Sequence, residues 1–272
     1  VLAPAGCGGG MSALERLLAG AARRVAELRE TVAAGRAPAL AARLTAPAVA
    51  PAGSFERALR RPGLSVVAEV KRRSPSAGAI AAIPDPAALA RAYAAGGAAA
   101  VSVLTEPKQF GGSLADLEVV ARAVSLPVLR KDFLLDPLQL AEAAEAGASA
   151  VLLVVAALGA RTGDMLAGCE RLGLEALVEV HDEGELEVAL GAGARVVGVN
   201  SRNLRTFEVD LGVAERLRPR IPAGVVAVAE SGVRTPDEAR RMREAGYDAV
   251  LVGGALAADP DPAGLVARLG AA

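Results

Sequence analysis

From residue 65 onward the chain switches between two hydrophobic periods again and again. Short runs rich in Val, Ala and Leu, of strand length, alternate with longer stretches whose apolar residues recur at helical spacing. The strand-like runs are SVVAEVK (65–71), AAVSVLT (99–105), PVLRK (127–131), AVLLVV (150–155), ALVEV (176–180), VVGVN (196–200), VVAVAE (225–230) and DAVLVG (248–253). Helical patterns occupy 86–95, 114–123, 137–146, 163–172, 183–190, 211–217, 236–244 and 262–269. The helices give way to strands within a few residues, often through a glycine such as Gly96, Gly147, Gly191 or Gly246, the usual helix stop. Such alternation requires parallel strands joined by right-handed crossovers. Eight units in about 200 residues is the count that closes a barrel, whereas a doubly wound open sheet usually has about five or six strands. The expected fold is α/β: a single (β/α)8 barrel of the TIM type over residues 65–272.

No linker rich in Pro, Gly or Ser divides that region, so one catalytic domain is expected there. Ahead of it, residues 11–34 place Leu14, Leu17, Leu18, Ala21, Val25 and Leu28 on one helical stripe, with Gly35 and Pro38 ending the pattern. A short helix at 54–59 opens at Ser54 and is stopped by Pro62 and Gly63. Residues 11–64 therefore read as an N-terminal helical extension. Residues 1–10, VLAPAGCGGG, lack the basic start and apolar core of a secretion signal and are expected to form a disordered tail.

Composition narrows the partners. Lys+Arg 30 against Asp+Glu 31 leaves no charge excess to attract nucleic acid or an anionic membrane. With 2% aromatic residues and no Trp, platforms for stacking bases are scarce. The longest wholly apolar run, 150–158, falls short of the roughly 20 residues of a spanning helix. Cys7 and Cys169 form no disulfide framework or zinc-ligand spacing, which fits a reducing cytoplasm and a site without metal. A monomer is the working expectation. His181 is the only histidine, so proton transfer elsewhere must use Lys, Glu or Asp.

Chemistry in a barrel sits at the C-terminal mouth, and that is where the charges fall. Glu69 and Lys71 end the first strand, Lys131 the third and Glu179 the fifth. Asn200 ends the sixth with Arg202 just beyond, and Glu230 the seventh with Ser231 following. Alternate strand residues share a face, which sets Glu179 above Leu177, Asn200 above Gly198 and Val196, and Glu230 above Val228 and Val226. Ordinary buried ion pairs or solvated rim charges would explain one such end. They explain five poorly, because each buried ion costs several kcal/mol in desolvation. Interleaved carboxylates and cations suit an anionic substrate and Lys/Glu acid–base work. After strands seven and eight, Ser231-Gly232 and Gly253-Gly254 stand where barrels commonly bind phosphate through backbone N–H groups. Residues 72–83, with their Ser, Pro and Gly, form a long loop suited to closing over the mouth.

The stretch VVAEVKRRSPSAG resembles the first-strand motif of the indole-3-glycerol phosphate synthases. The resemblance continues through VSVLTEPKQFGGSLADL, PVLRKDFLLDPLQL, ALVEVHDEGEL, VVGVNSRNLRTFEVDL and AVAESGVRTPDEA, and covers residues 11–270. It implies conversion of 1-(2-carboxyphenylamino)-1-deoxyribulose 5-phosphate, a phosphorylated anthranilate derivative, to indole-3-glycerol phosphate in tryptophan biosynthesis. Carbon dioxide and water are released, and no metal or organic cofactor is used. By the same resemblance Lys131 is the general acid toward the carbonyl oxygen and Glu179 the general base. Lys71 would meet the anthranilate carboxylate and serve as acid in the dehydration, and Glu69 would organise the lysines. Asn200 and Arg202 would orient substrate, Arg202 through a bidentate pair with a carboxylate, with Glu230 and Ser231 beside them. Ser74, Gly232, Gly253 and Gly254 would line the phosphate loop, and Phe110 and Phe133 the walls around the ring. At Gly254 the family often carries Glu or Ser, so that here only backbone donors are offered.

Two rivals are weaker. Phosphoribosylanthranilate isomerase would want a catalytic cysteine near the end of the first strand, where none stands. A non-catalytic barrel binding phosphorylated ligands would not need the acid and base positions filled. His181→Asn is expected to be nearly silent, Glu179 rather than the imidazole taking the inward face.

Overall fold

The computed structural model describes residues 12–272 except 51 and 205. Eight parallel strands close on themselves: β1 (Ser65–Val70), β2 (Ala100–Leu104), β3 (Val128–Lys131), β4 (Ala150–Val154), β5 (Glu175–Val180), β6 (Val196–Asn200), β7 (Val226–Glu230) and β8 (Ala249–Val252). Closure is made by β1, which pairs with β8 at Ser65↔Ala249 and with β2 at Val67↔Ala100. The pleat sorts side chains as period two demands. Val66, Ala68 and Val70 face the surrounding helices, while Val67 joins Leu129, Leu177, Val196, Val226 and Val228 inside the barrel. Full burial of a Val or Leu contributes roughly 1.5–3 kcal/mol, so both layers hold the cylinder together.

The extension serves both ends. Helix α1 (Ala13–Ala33) starts at a capping box of Ser12 and Glu15; Met11, expected as its first residue, lies outside the described residues, as does the tail at 1–10. Helix α1 ends ahead of Gly35 and Pro38 as expected, and a further helix not foreseen from the sequence, α2 (Pro38–Thr45), begins at Pro38 itself. Proline at the first helical position starts a helix, because its missing N–H would be unpaired there anyway. Helix α3 (Ser54–Leu59) plugs the N-terminal end of the barrel with Phe55 and Leu59, both fully buried. Its first N–H groups lack a side-chain cap of their own. Instead the Glu175 carboxylate at the base of β5 accepts from the N–H of Phe55 and of Glu56, each at 2.8 Å.

Helices α4 (Pro86–Ala95), α5 (Leu114–Ala123), α6 (Pro137–Glu145), α8 (Thr162–Arg171), α9 (Glu183–Gly191), α10 (Leu211–Leu217), α11 (Pro236–Glu244) and α13 (Pro262–Gly270) form the outer ring. Two short helices depart from simple alternation: α7 (Val155–Leu158) continues from β4, and α12 (Gly254–Ala258) follows β8. The loop after β1 is folded back by a small ribbon that pairs Arg73 with Ala79 and Ser74 with Gly78. No helix among the described residues is long and apolar enough to cross a membrane.

Candidate active site

The ends of β1, β3, β5, β6 and β7 bring their polar residues to one floor. The Lys131 ammonium lies 3.0 Å from Glu179 Oε2 and 2.9 Å from Glu230 Oε2, donating to both. Beside it Lys71 Nζ pairs with Glu69 Oε1 at 2.7 Å. Glu69, Glu179 and Glu230 are all but closed off from solvent, at 1%, 3% and 1% exposure. Such carboxylates are tolerable only because cations sit between them.

The fields separate these groups. Burial alone would lower the Lys131 ammonium, but Glu179, Glu230 and Glu69 outweigh it and hold the proton on well above the ordinary lysine value. Burial would likewise raise Glu179, yet Lys131, His181 and a hydrogen bond with Asn200 keep that carboxyl well below the usual carboxylate range. Glu230 goes the other way. Burial raises it, Lys131 opposes, and the charges of Glu179 and Glu69 raise it further, so its proton is held toward neutrality. Two buried carboxyl groups sharing one ammonium have thus been driven apart, the usual mark of separate acid and base duties.

Above the floor the cavity has two lobes that share Glu69, Lys71, Ser74, Ser76, Lys131, Arg202 and Ser231. The larger, about 480 Å³, is polar and lined by Ser74, Arg202, Gly232, Gly253 and Gly254. Ser231 there adopts φ 61°, a left-handed backbone uncommon for serine, which turns the chain sharply after β7. The second lobe, about 100 Å³, is walled by Phe110, Phe133, Leu152, Leu204 and Phe207, with Glu179 and Asn200 at its edge. Leu17 of α1 also reaches it, so the extension closes part of the mouth.

Every residue singled out from the sequence therefore lines one of the two lobes. Lys71 stands one residue past the end of β1, and Arg202 two residues past the end of β6. Its guanidinium donates to Ser76 Oγ at 3.2 Å and to the Phe207 carbonyl at 3.0 Å, and no ion pair among the described residues engages it.

Two glycines make the floor possible. A Cβ on Gly253 would lie 2.2 Å from Glu69 Oε1, and one on Gly198 would lie 2.0 Å from Glu230 Oε1. Neither carboxylate could stay where it is. Gly198→Ala is expected to leave the fold intact by circular dichroism but to push Glu230 off Lys131 and lower kcat about tenfold or more, since a displacement of about 1 Å in a reacting group can cost 10².

Sequence reasoning missed the supporting shell. Arg24 of α1 reaches Asp132 Oδ1 at 2.6 Å and Glu106 Oε1 at 3.5 Å. Glu106 in turn accepts from the N–H groups of Lys108, Gln109 and Phe110, fixing the loop that carries the Phe110 wall. Arg234, in the AVAESGVRT stretch, lines the polar lobe and lies close enough to Arg202 to depress its pKa, after the larger effect of burial. His181 also faces the floor: its Nε2 lies 3.4 Å from Glu179 Oε1. Residues two apart at a strand end share a side, so the imidazole follows the carboxylate inward.

Another cavity, about 770 Å³, is at the other end of the barrel. Three of its charged residues are already engaged: Glu175 caps α3, and Arg195 pairs with Glu56 at 2.8 Å. Cys169 beside it is buried, its thiol pushed up to about 12 by burial and by Glu170, and is unreactive. Among the described residues no group of His, Cys, Asp and Glu side chains could hold a metal ion.

Comparison with known proteins bears on the fold and the family. At the level of the fold alone, the thiamine phosphate pyrophosphorylase of Pyrococcus furiosus superposes with a TM-score of 0.58 at 17% identity, over 76% of this chain and 93% of that one. The indole-3-glycerol phosphate synthase of a Parafrankia strain is 59% identical over 212 residues, 78% of this chain and 79% of that protein. Indole-3-glycerol phosphate synthase 1 of Streptomyces coelicolor is 50% identical over 263 residues, 96% of each chain. The family model described as indole-3-glycerol phosphate synthase matches residues 14–269. With a closed eight-stranded barrel, an ionic floor and matches of this extent, the chain belongs to the indole-3-glycerol phosphate synthase family.

Proposed function

We propose that the chain closes the indole ring of 1-(2-carboxyphenylamino)-1-deoxyribulose 5-phosphate on the floor formed by Lys131, Glu179 and Glu230, acting as a carboxy-lyase. The observation that carries this reading is one ammonium donating to two buried carboxylates of opposite pKa direction, at the junction of a polar and an apolar lobe. The substrate has matching ends. Its phosphate suits the lobe of Gly232, Gly253, Gly254 and Ser74, with Arg202 and Arg234 supplying charge. Its aromatic ring suits the walls of Phe110 and Phe133.

Lys131 carries the proton for the first step. Its high pKa makes it a poor acid toward a ketone, but the oxygen becomes an alkoxide as the ring carbon attacks, and transfer then runs downhill. Ammonium and backbone dipoles fixed in advance stabilise that developing charge with little reorganisation. Loss of carbon dioxide restores the ring. Glu179, ionised at neutral pH, accepts the proton released as the five-membered ring becomes aromatic. Lys71, steadied by Glu69, holds the substrate carboxylate and then helps the hydroxyl leave as water. Asn200 and Arg202 orient the substrate. The mouth is complete within one chain, and a reducing cytoplasm, where unpaired thiols such as Cys169 persist, is the setting we propose.

The direct test is to incubate the purified protein with that substrate and follow the rise of indole absorbance and fluorescence. Product formation supports the assignment. Folded protein that binds the substrate and releases no indole product would reject it.

A further inference from the structure

His181 takes no part in the steps above, yet its placement is tightly specified. Only 15% of its side chain is exposed. Its Nδ1 lies 2.9 Å from Glu185 Oε2, and its Nε2, buried without a hydrogen-bond partner, lies 3.4 Å from Glu179 Oε1. Glu185 is anchored at the start of α9: its N–H donates to Asp182 Oδ1 at 2.9 Å, and its Oε2 accepts from the His181 N–H at 2.9 Å. That oxygen already serves as an acceptor, so ring Nδ1 carries the hydrogen that faces it. A neutral ring would then turn the bare lone pair of Nε2 toward a carboxylate. A second proton converts that repulsion into attraction.

The two oxygens of Glu179 are divided between two cations. Lys131 holds Oε2 at 3.0 Å and His181 faces Oε1. We propose that His181 is a positioning residue, aimed by Glu185, whose imidazolium keeps the Glu179 carboxylate ionised and oriented while Lys131 gives its proton to the substrate. The proposal rests on the reading of Glu179 as the base. When the ammonium becomes an amine, Glu179 loses its main counter-charge, and without a second cation its pKa would climb. Three carboxylates act on the ring: Glu185 on α9, Glu179 on β5 and Glu230 on β7. Lys131 sits on the other oxygen of Glu179. Burial opposes protonation of the imidazole, but the hydrogen bond to Glu185 and the three carboxylates outweigh it, so it titrates above its ordinary value.

As the sole histidine, His181 gives one set of imidazole resonances, which can be titrated by ¹H–¹⁵N correlation spectroscopy in the intact protein. The expected midpoint lies above the ordinary imidazole value and falls in both Glu185→Gln and Glu179→Gln. In parallel, His181→Gln and His181→Asn should move the acid limb of kcat to higher pH. Turnover on that limb would be about tenfold lower, with KM within about twofold of wild type and most activity regained at higher pH. A midpoint unmoved by Glu179→Gln, or an acid limb unmoved in both His181 variants, would overturn the proposal. Full turnover by Glu179→Gln would instead remove the base assignment itself, whatever the ring's titration shows.

Discussion

Lys131→Met should lower kcat by about 10² or more while KM changes little, because the lost group acts as charge develops on the substrate oxygen. Methionine retains the reach of the side chain and removes the ammonium, so the loss reports charge and proton rather than packing. The replacement also leaves Glu179 and Glu230 buried together with no cation between them. Both carboxyls would then be raised above the ordinary glutamate value of about 4.3. A carboxyl raised in the folded state stabilises it below the unfolded pKa and stops doing so as pH climbs through the folded pKa. The stability deficit of Lys131→Met against wild type should therefore be smallest in acid and grow toward neutral pH. Thermal melts between those limits, alongside steady-state kinetics, measure both effects.

Glu179→Gln should cost 10²- to 10⁴-fold in kcat, the range of a general base. The amide keeps the shape and can still face Lys131, but it cannot take a proton. In wild type, Lys131, His181 and Asn200 outweigh burial and keep this carboxyl well below the usual range. The sign is then fixed: the base is ionised at neutral pH, and activity falls only when the medium becomes acid enough to protonate it. Glu230, raised by its burial and its carboxylate neighbours, titrates nearer neutrality. The two carboxyls are one coupled system, so the acid limb of the pH profile belongs to the pair. A Glu179→Gln enzyme within threefold of wild-type turnover would place the base elsewhere.

Much of this was legible in the sequence because barrels convert two periods into geometry. The switch between strand and helix spacing gave the eight units, and period two along β5, β6 and β7 put Glu179, Asn200 and Glu230 above apolar residues that the structure finds inside the barrel. What escaped had no local signal. Arg24 and Asp132 are 108 residues apart, and nothing in the α1 pattern separates an arginine that reaches buried carboxylates from one that faces water. Helix α2 escaped because a proline marks a stop and a start alike: Pro38 cannot continue a helix, yet its fixed φ suits a first turn. His181 escaped for a different reason. Its distance of two residues from Glu179 predicts a shared side only if strand alternation runs on past Val180, the last residue of β5. Gly198 and Gly253 show the reverse: glycines whose meaning is invisible until the carboxylates packed against them are seen.

A double-mutant cycle on kcat with Lys131→Met and Glu179→Gln tests most directly whether one ammonium and its carboxylates work as a unit. Removing Lys131 takes away the charge that keeps Glu179 ionised, so most of the base's contribution is already lost in that single variant. The double variant is expected to turn over within about tenfold of the slower single variant. Losses that multiply, as for two sites acting independently, would contradict a shared floor.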